Sequence, residues 1–211
     1  MRSSISRNAL LLSAFAIICT ASVALVSELA QPKIAQQEQN ALLKTLNQLI
    51  PVDQYDNDIV ASCFTVADPH LLGSTQPQQV FIAKKDNHPV ALMLETTTMS
   101  GYAGQINLLV GIYENGQTAG VRVIHHSETP GLGDKVQTNK SDWIYAFNDK
   151  SYQETQKSRW DVKKNGGDFD AFTGATITPR AVIFAVKDAL IYFKNNKNEL
   201  FKHEANCGES L

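Results

Sequence analysis

A stretch without a single charged side chain, residues 9–27, constrains this chain more than any other feature of the sequence. As a helix, the stretch is long enough to cross the hydrocarbon core of a bilayer. Arg2 and Arg7 precede it, and Glu28 is the next charged residue. The positive-inside rule therefore predicts that residues 1–8 stay in the cytoplasm and that everything after the stretch is exported. We predict a transmembrane anchor over residues 9–27.

Two signal-sequence interpretations compete with the anchor. A cleaved signal peptide has an apolar core of about 7–15 residues and a small-x-small cleavage site, whereas this stretch is longer and is followed only by poor sites. A lipoprotein signal would use Cys19, but the bulky Ile18 stands before it, where such signals carry a small residue. The retained anchor is the favoured interpretation, and cleavage is the alternative.

The composition argues against a nucleic-acid partner and permits one disulfide. The chain carries 19% charged residues and a net charge of −2, so it lacks the basic surface with which proteins bind nucleic acid. Cys63 and Cys207 lie outside the predicted anchor. An exported domain permits them to form a disulfide, and two unpaired thiols are the alternative.

The sequence after the anchor predicts a helix and then an antiparallel sheet. In residues 28–51, leucines recur at helical spacing before Pro51, which indicates a juxtamembrane helix and linker. A helix packed fully into the domain would show the same stripe and is the alternative. A domain over residues 52–211 follows. Asn115-Gly116 is a strong hairpin signal between the last two predicted strands. The β-rich runs that predict the strands are residues 63–66, 79–84, 89–96, 106–113 and 118–126.

The clearest soluble element is a helix predicted over residues 179–195. Thr178 is a favourable N-cap, Pro179 suits the first helical position, and apolar residues then follow at helical spacing. A shorter helix is predicted around residues 141–147. The fold class predicted from these patterns is α+β: an N-terminal transmembrane helix, then one domain in which an antiparallel sheet packs against helices.

A run of small and hydroxylated residues, Thr173-Gly174-Ala175-Thr176, stands directly before this helix. Backbone N–H groups and the positive end of the dipole at a helix N-terminus favour an anion, so a phosphate near Thr176 would be stabilised. Gly174 allows a ligand or another backbone segment to approach closely. These residues alone leave open whether such a phosphate is bound or covalently bonded.

The stretch Asp170-Ala171-Phe172-Thr173-Gly174-Ala175-Thr176 resembles the D-x-x-[S/T]-G-A-T flavinylation motif of FMN-binding domains. In that family, FMN is attached through a phosphoester to the final threonine by a dedicated flavin transferase that uses FAD. The resemblance implies covalent FMN on Thr176, with Asp170, Thr173, Gly174 and Ala175 as further site residues. The alternative without a ligand is a threonine-rich turn before a helix.

A second segment, Glu128-Thr129-Pro130-Gly131-Leu132-Gly133, resembles the E-T-P-G-L-G loop of the same family. The resemblance implies that Glu128, Thr129 and Leu132 form a wall of the flavin site, with Leu132 against the ring. An ordinary strand-to-helix turn is the alternative. Tyr102 and Trp143 are further aromatic candidates for flavin contact.

The order of segments along the whole chain resembles the family of G subunits of Rnf (also called Rsx) ion-translocating electron transport complexes of Gram-negative bacteria. Chain length and the stretch TGATITPRAV favour this family over the C subunits of sodium-translocating NADH:quinone reductases, which have the same motif. The resemblance implies an electron-carrier role beside other membrane and iron-sulfur subunits. It also implies that the complex couples electron transfer between ferredoxin and NAD to ion movement.

Two function classes without a flavin are alternatives. A hydrolase would need His125 or His126 with Glu128 and a nucleophilic threonine, but neither a G-x-S-x-G nor an H-E-x-x-H motif is present. A non-redox periplasmic ligand-binding module is the other alternative. Both predict a colourless protein.

Overall fold

The computed structural model of the protein describes residues 2–207. Within them the chain forms two compact units, one ending at Lys44 and the other beginning at Thr45. The two long helices and five strands are α1 (Arg2–Leu49), β1 (Phe64–Asp68), β2 (Ser74–Lys85), β3 (His88–Gly101), β4 (Gly104–Tyr113), β5 (Thr118–His126) and α2 (Ile177–Leu200). Short 3-10 helices cover Val52–Gln54, Gly133–Val136, Asp142–Phe147, Glu154–Arg159 and Lys163–Asn165.

The first unit consists of α1 up to Lys44. It is long and apolar enough to cross a membrane, and the residues of its most apolar stretch are exposed. The helix continues through the polar residues that follow and through Pro32, although a proline lacks the N–H that would bond to the preceding turn. An N-terminal signal sequence meets the same criterion of helix length and apolar composition, so the retained anchor stays a prediction.

The second unit is built on a five-stranded antiparallel sheet in which every strand pairs with its neighbour in sequence, in the order β1-β2-β3-β4-β5. The predicted α+β class is confirmed, and β5 has the predicted bounds. The turn after β4 is the predicted hairpin, with Gly116 at φ +85°. Strand β2 begins earlier than predicted, at Ser74. Its Pro77 is tolerated there because the β1–β2 register shifts between Val66 and Asp68.

One face of the sheet carries the main core. Alternate residues of the strands, among them Val80, Leu92, Leu108 and Val110, are 0% exposed and join one apolar cluster. Helix α2 contributes its predicted apolar stripe to the same cluster: Val182, Ile183, Val186, Ala189, Leu190 and Phe193. The helix therefore packs on the sheet, and its N-terminus is held at a fixed place beside the strands.

The other face of the sheet receives the last turn of α1. Leu49 lies so close to β4 and β5 that a Cβ on Gly111 or Gly120 would stand 3.2 or 3.1 Å from its side chain. Arg122 on β5 donates to the Gln48 carbonyl at 3.1 Å and to the Gln48 side chain at 3.1 Å. The end of α1 is thus an integral part of the domain.

Cys63 and Cys207, for which the sequence left a disulfide and two unpaired thiols open, form a disulfide with their Cα atoms 5.4 Å apart. It ties the C-terminal segment to the start of β1. The predicted short helix around residues 141–147 is a 3-10 helix, Asp142–Phe147, whose first turn is capped by the Ser141 hydroxyl.

Candidate functional site

A cavity of about 340 Å³ opens where three segments meet: the tip of the β3–β4 hairpin, the loop after β5 and the start of α2. Its volume is at the small end of the range of ligand pockets in proteins. The lining residues are Tyr102, Glu128, Thr129, Leu132, Gly133, Gly174, Ala175, Thr176, Ile177 and Thr178.

The structure brings the two sequence motifs together at this cavity, although they are far apart along the chain. The lining includes the predicted site residues Glu128, Thr129, Leu132, Gly174, Ala175 and Thr176. The other two predicted site residues lie outside it. Asp170 is exposed and forms an ion pair of 2.8 Å with Lys163, and the Thr173 side chain is also exposed.

A tight turn aims the motif at the cavity. Gly174 has φ +81°, a conformation that side chains with a Cβ rarely adopt. The turn is closed by a hydrogen bond of 3.0 Å from Ala175 N–H to the Phe172 carbonyl. A Cβ on Gly174 would lie 3.8 Å from Leu132 Cδ2, so the two motifs are neighbours here. The turn places Thr176 directly before the first residue of α2.

The predicted N-cap was wrong by two residues. Helix α2 begins at Ile177, so Thr176 occupies the N-cap position and Thr178 lies inside the first turn. The Thr178 hydroxyl is buried and donates to Glu128 Oε2 at 2.5 Å, which is why it does not cap the helix. Pro179 is tolerated in the first turn because N–H groups there have no partner within the helix.

The Thr176 side chain is left available by this arrangement. It is exposed and lines the cavity. Within the described residues it makes no capping hydrogen bond to the backbone of α2. An uncommitted hydroxyl therefore stands at a helix N-terminus, where an anion is stabilised.

An aromatic cluster fixes the polypeptide that leads into the turn. Phe172 packs against Trp143 with ring centroids 5.1 Å apart, and Phe169 packs against Phe147 at 4.7 Å. The indole N–H of Trp143 donates to the Asp170 carbonyl at 2.7 Å. Trp143 thus supports the motif from outside the cavity, whereas Tyr102, the other aromatic candidate, lies in its lining.

A carboxylate also ties this polypeptide to α2. Asp161 accepts hydrogen bonds from Arg180 Nε at 3.0 Å, from Val162 N–H at 2.7 Å and from Asn165 at 3.1 Å. Partial burial raises the pKa of Asp161, but the hydrogen bonds from Val162, Arg180 and Asn165 outweigh it and hold the pKa below its ordinary value. The ionised form is therefore the one that stabilises the loop.

We expect Asp161→Asn to destabilise the domain by about 1–2 kcal/mol at neutral pH, the scale of hydrogen bonds to an ionised group that is partly exposed. Because the folded pKa is depressed, the contribution of Asp161 is present above the unfolded pKa of about 3.9 and is lost as the pH falls through the folded value. Urea unfolding of both proteins between pH 7 and pH 3 should show the difference shrinking towards acid. A difference independent of pH would contradict this assignment.

Comparison with known proteins identifies the kind of domain. A family model described as FMN-binding domain matches residues 101–191, which include both motifs and all of the cavity lining. A second family model, described as RnfG N-terminal region, matches residues 1–49. The fold and the site therefore define an FMN-binding domain.

Proteins described as the G subunit of an ion-translocating oxidoreductase complex are similar to this chain over nearly its whole length. The protein from Shewanella amazonensis is 48% identical over 207 residues, which cover 98% of this chain and 96% of the relative. Those from Shewanella loihica and Vibrio cholerae are 47% and 44% identical, with 98% of this chain and 98% and 99% of the relatives covered. The chain belongs to this family of G subunits, and the predicted resemblance to the Rnf family is confirmed.

The cavity lining offers groups of the kinds that contact a flat ring and a phosphate. Tyr102, Leu132 and Ile177 present side chains that are 69%, 42% and 51% exposed, so they offer uncovered apolar surface to a flat ring. The start of α2 offers its backbone N–H groups to a phosphate. The Thr176 hydroxyl stands at the same helix end. No sequence pattern indicated that Ile177 lines the cavity, because its place in the lining depends on where the helix begins.

Proposed function

We propose that this protein is the electron-carrying flavoprotein subunit of an ion-translocating oxidoreductase complex, with FMN attached by a phosphoester to Thr176. Membership in the family of G subunits and the FMN-binding domain support the flavoprotein role. The flavinylation motif at the start of α2 supports the covalent attachment. In such a protein the cofactor carries the redox chemistry and the polypeptide supplies binding, orientation and electrostatics.

The position of Thr176 among the hydroxyls of the site carries the attachment proposal. Thr178 lines the cavity, but its hydroxyl is buried and bonded to Glu128. Thr173 is exposed but lies outside the lining, and Thr129 lines the cavity but belongs to the loop after β5. Thr176 is exposed, lines the cavity and occupies the N-cap. Transfer of the FMN half of FAD to this oxygen forms one phosphoester bond, breaks the phosphoanhydride and releases AMP.

Different residues of the chain would bind the phosphate and the ring of FMN. The N–H groups at the start of α2 would hold the phosphate. Tyr102, Leu132 and Ile177 would hold the ring through their exposed apolar surface. Bound FMN supplies the acceptance and release of electrons. The covalent bond keeps the cofactor on the protein through repeated cycles, because its retention then no longer depends on an equilibrium affinity.

The proposed topology follows from the apolar stretch. Residues 1–8 are cytoplasmic, residues 9–27 form the transmembrane anchor, and residues 28–51 form the juxtamembrane helix and linker. Residues 52–211 form the periplasmic FMN-binding domain, so the protein is a single-pass protein of the bacterial inner membrane. Its proposed partners are the other membrane and iron-sulfur subunits of the complex, and the flavin transferase during maturation.

The experiment is co-expression of the full chain with an active flavin transferase, followed by SDS denaturation, in-gel flavin fluorescence and peptide mass spectrometry. We expect a fluorescent band and a mass increase equal to FMN on the peptide that contains Thr176. A band without fluorescence, beside a control substrate that the same transferase labels, would reject the covalent flavoprotein. Labelling at another residue would reject only the assignment to Thr176.

A further inference from the structure

The Glu128 carboxylate lies at the junction of the three segments that form the cavity. Its side chain is 5% exposed, although a carboxylate is rarely buried without a partner. One oxygen, Oε1, accepts from Ala103 N–H at 3.0 Å, and Oε2 accepts from the Thr178 hydroxyl at 2.5 Å. Ala103 belongs to the β3–β4 hairpin tip and Thr178 to the first turn of α2.

The backbone around Glu128 is shaped to hold this carboxylate. A Cβ on Gly133 would overlap Glu128 Oε2, and a Cβ on Gly101 would stand 2.7 Å from Oε1, so only glycines leave the room that it occupies. The Glu128 N–H donates to His126 Nδ1 at 3.0 Å, which fixes the residue from the strand side. None of the ion pairs formed by the described residues includes Glu128.

We propose that Glu128 is a positioning residue that locks the three walls of the cavity into one arrangement. This inference rests on the proposed function, because the cavity it shapes is the proposed FMN site. The resemblance of the loop to a flavin-site wall led us to expect contact between Glu128 and the cofactor. Both carboxylate oxygens instead bond to protein groups, so Glu128 acts on the cofactor through Tyr102 and Thr176.

Tyr102 and Thr176 lie close in sequence to the two groups that bond to Glu128, so the carboxylate can set the positions of both. Tyr102 precedes Ala103 directly, and its side chain is 69% exposed, so packing contributes little to its position. Thr176 precedes Thr178 by two residues at the start of α2. Loss of the carboxylate removes the link between the hairpin tip and the helix. The exposed Ala103 N–H loses its acceptor, and the buried Thr178 hydroxyl is left without this partner, which is costly for a buried group.

The first test measures hydrogen exchange by mass spectrometry on the full chain without flavin, in detergent. We expect Glu128→Ala to speed exchange of the Ala103 amide by about tenfold or more, since a hydrogen bond to an ionised acceptor is lost. Glu128→Gln should restore slow exchange, because its amide oxygen accepts from Ala103 and its NH₂ group donates to the Thr178 hydroxyl. Glu154→Ala is the matched control: it removes a carboxylate that accepts a hydroxyl hydrogen bond of 3.1 Å from Tyr152, outside the cavity.

The second test uses protein loaded by the flavin transferase and measures the flavin's fluorescence anisotropy and reduction potential. Glu128→Ala is expected to lower the anisotropy and shift the potential, whereas Glu128→Gln and Glu154→Ala stay close to the unsubstituted protein. If Glu128 only stabilised the fold, the flavin's reduction potential would stay unchanged in the folded Glu128→Ala protein. If the unsubstituted chain takes no flavin, the proposed function fails while the exchange result still decides whether the carboxylate joins the walls.

Exchange at Ala103 that is equal in the unsubstituted chain and in Glu128→Ala overturns the inference. Peptides from β4 report whether Glu128→Ala is still folded. If it is not, Thr178→Val and Thr178→Ser replace it, because both leave the carboxylate in place and only serine keeps the donor. Exchange at the start of α2 that is faster in Thr178→Val but not in Thr178→Ser supports the inference. Equal exchange in the two variants overturns it.

Discussion

Thr176→Ala is expected to abolish covalent flavin and to leave the domain folded. The residue is exposed at the N-cap of α2 and makes no capping hydrogen bond within the described chain, so its loss removes no packing and no helix cap. The expected change in stability is below about 0.5 kcal/mol, as for other surface substitutions without a specific contact. In-gel fluorescence after SDS denaturation measures the attachment, and urea unfolding measures the stability.

The hydroxyls around Thr176 provide matched controls. Thr129→Ala removes a hydroxyl that lines the same cavity, and Thr173→Ala removes one in the same turn outside the lining. Both should retain covalent flavin. Thr176→Ser keeps an oxygen at the right place and is expected to be labelled. Full flavin occupancy in Thr176→Ala, or its loss in Thr129→Ala alone, would move the attachment to another residue.

The strands and α2 were predictable because each element has a local cause. β5 is an alternating run after an Asn-Gly turn, and the apolar face of α2 repeats at helical spacing. The start of β2 was missed because Pro77 reads as a turn residue, whereas a register shift in the β1–β2 pair accommodates it. Such a shift depends on the partner strand and leaves no mark in the local sequence.

The candidate site also has a part that the sequence predicted and a part that only the structure shows. The residues of the two motifs were identified from their resemblance to a family, and the structure places most of them around one cavity. The role of Thr178 was misread because a threonine before a proline matches an N-cap in isolation. Its hydroxyl bonds instead to Glu128, fifty positions away along the chain. Only the folded chain shows this competition between a local cap and a distant carboxylate.

Replacing Cys63 and Cys207 with alanine is expected to lower the free energy of unfolding by about 2–5 kcal/mol. The disulfide closes a loop with a sequence separation of 144 residues, and the chain-entropy model gives a large effect for so long a loop. Urea unfolding of the full chain, followed by circular dichroism, measures it. Cys19→Ser is the control, because Cys19 is free and exposed. A change below about 0.5 kcal/mol would mean that the link does not constrain the unfolded chain.

The same variant should also expose an edge of the sheet. β1 is an edge strand, and the C-terminal segment covers its free side: Asn206 accepts from Thr65 N–H at 3.0 Å, and the Asn206 and Cys207 amides donate to the Cys63 carbonyl at 2.9 and 3.2 Å. His203 stacks on the buried Phe64 ring at 4.4 Å. An uncovered edge strand is a template for pairing with other chains. We therefore expect the alanine variant to self-associate at concentrations where the disulfide-bonded protein does not, with labelling of Thr176 retained in its folded fraction.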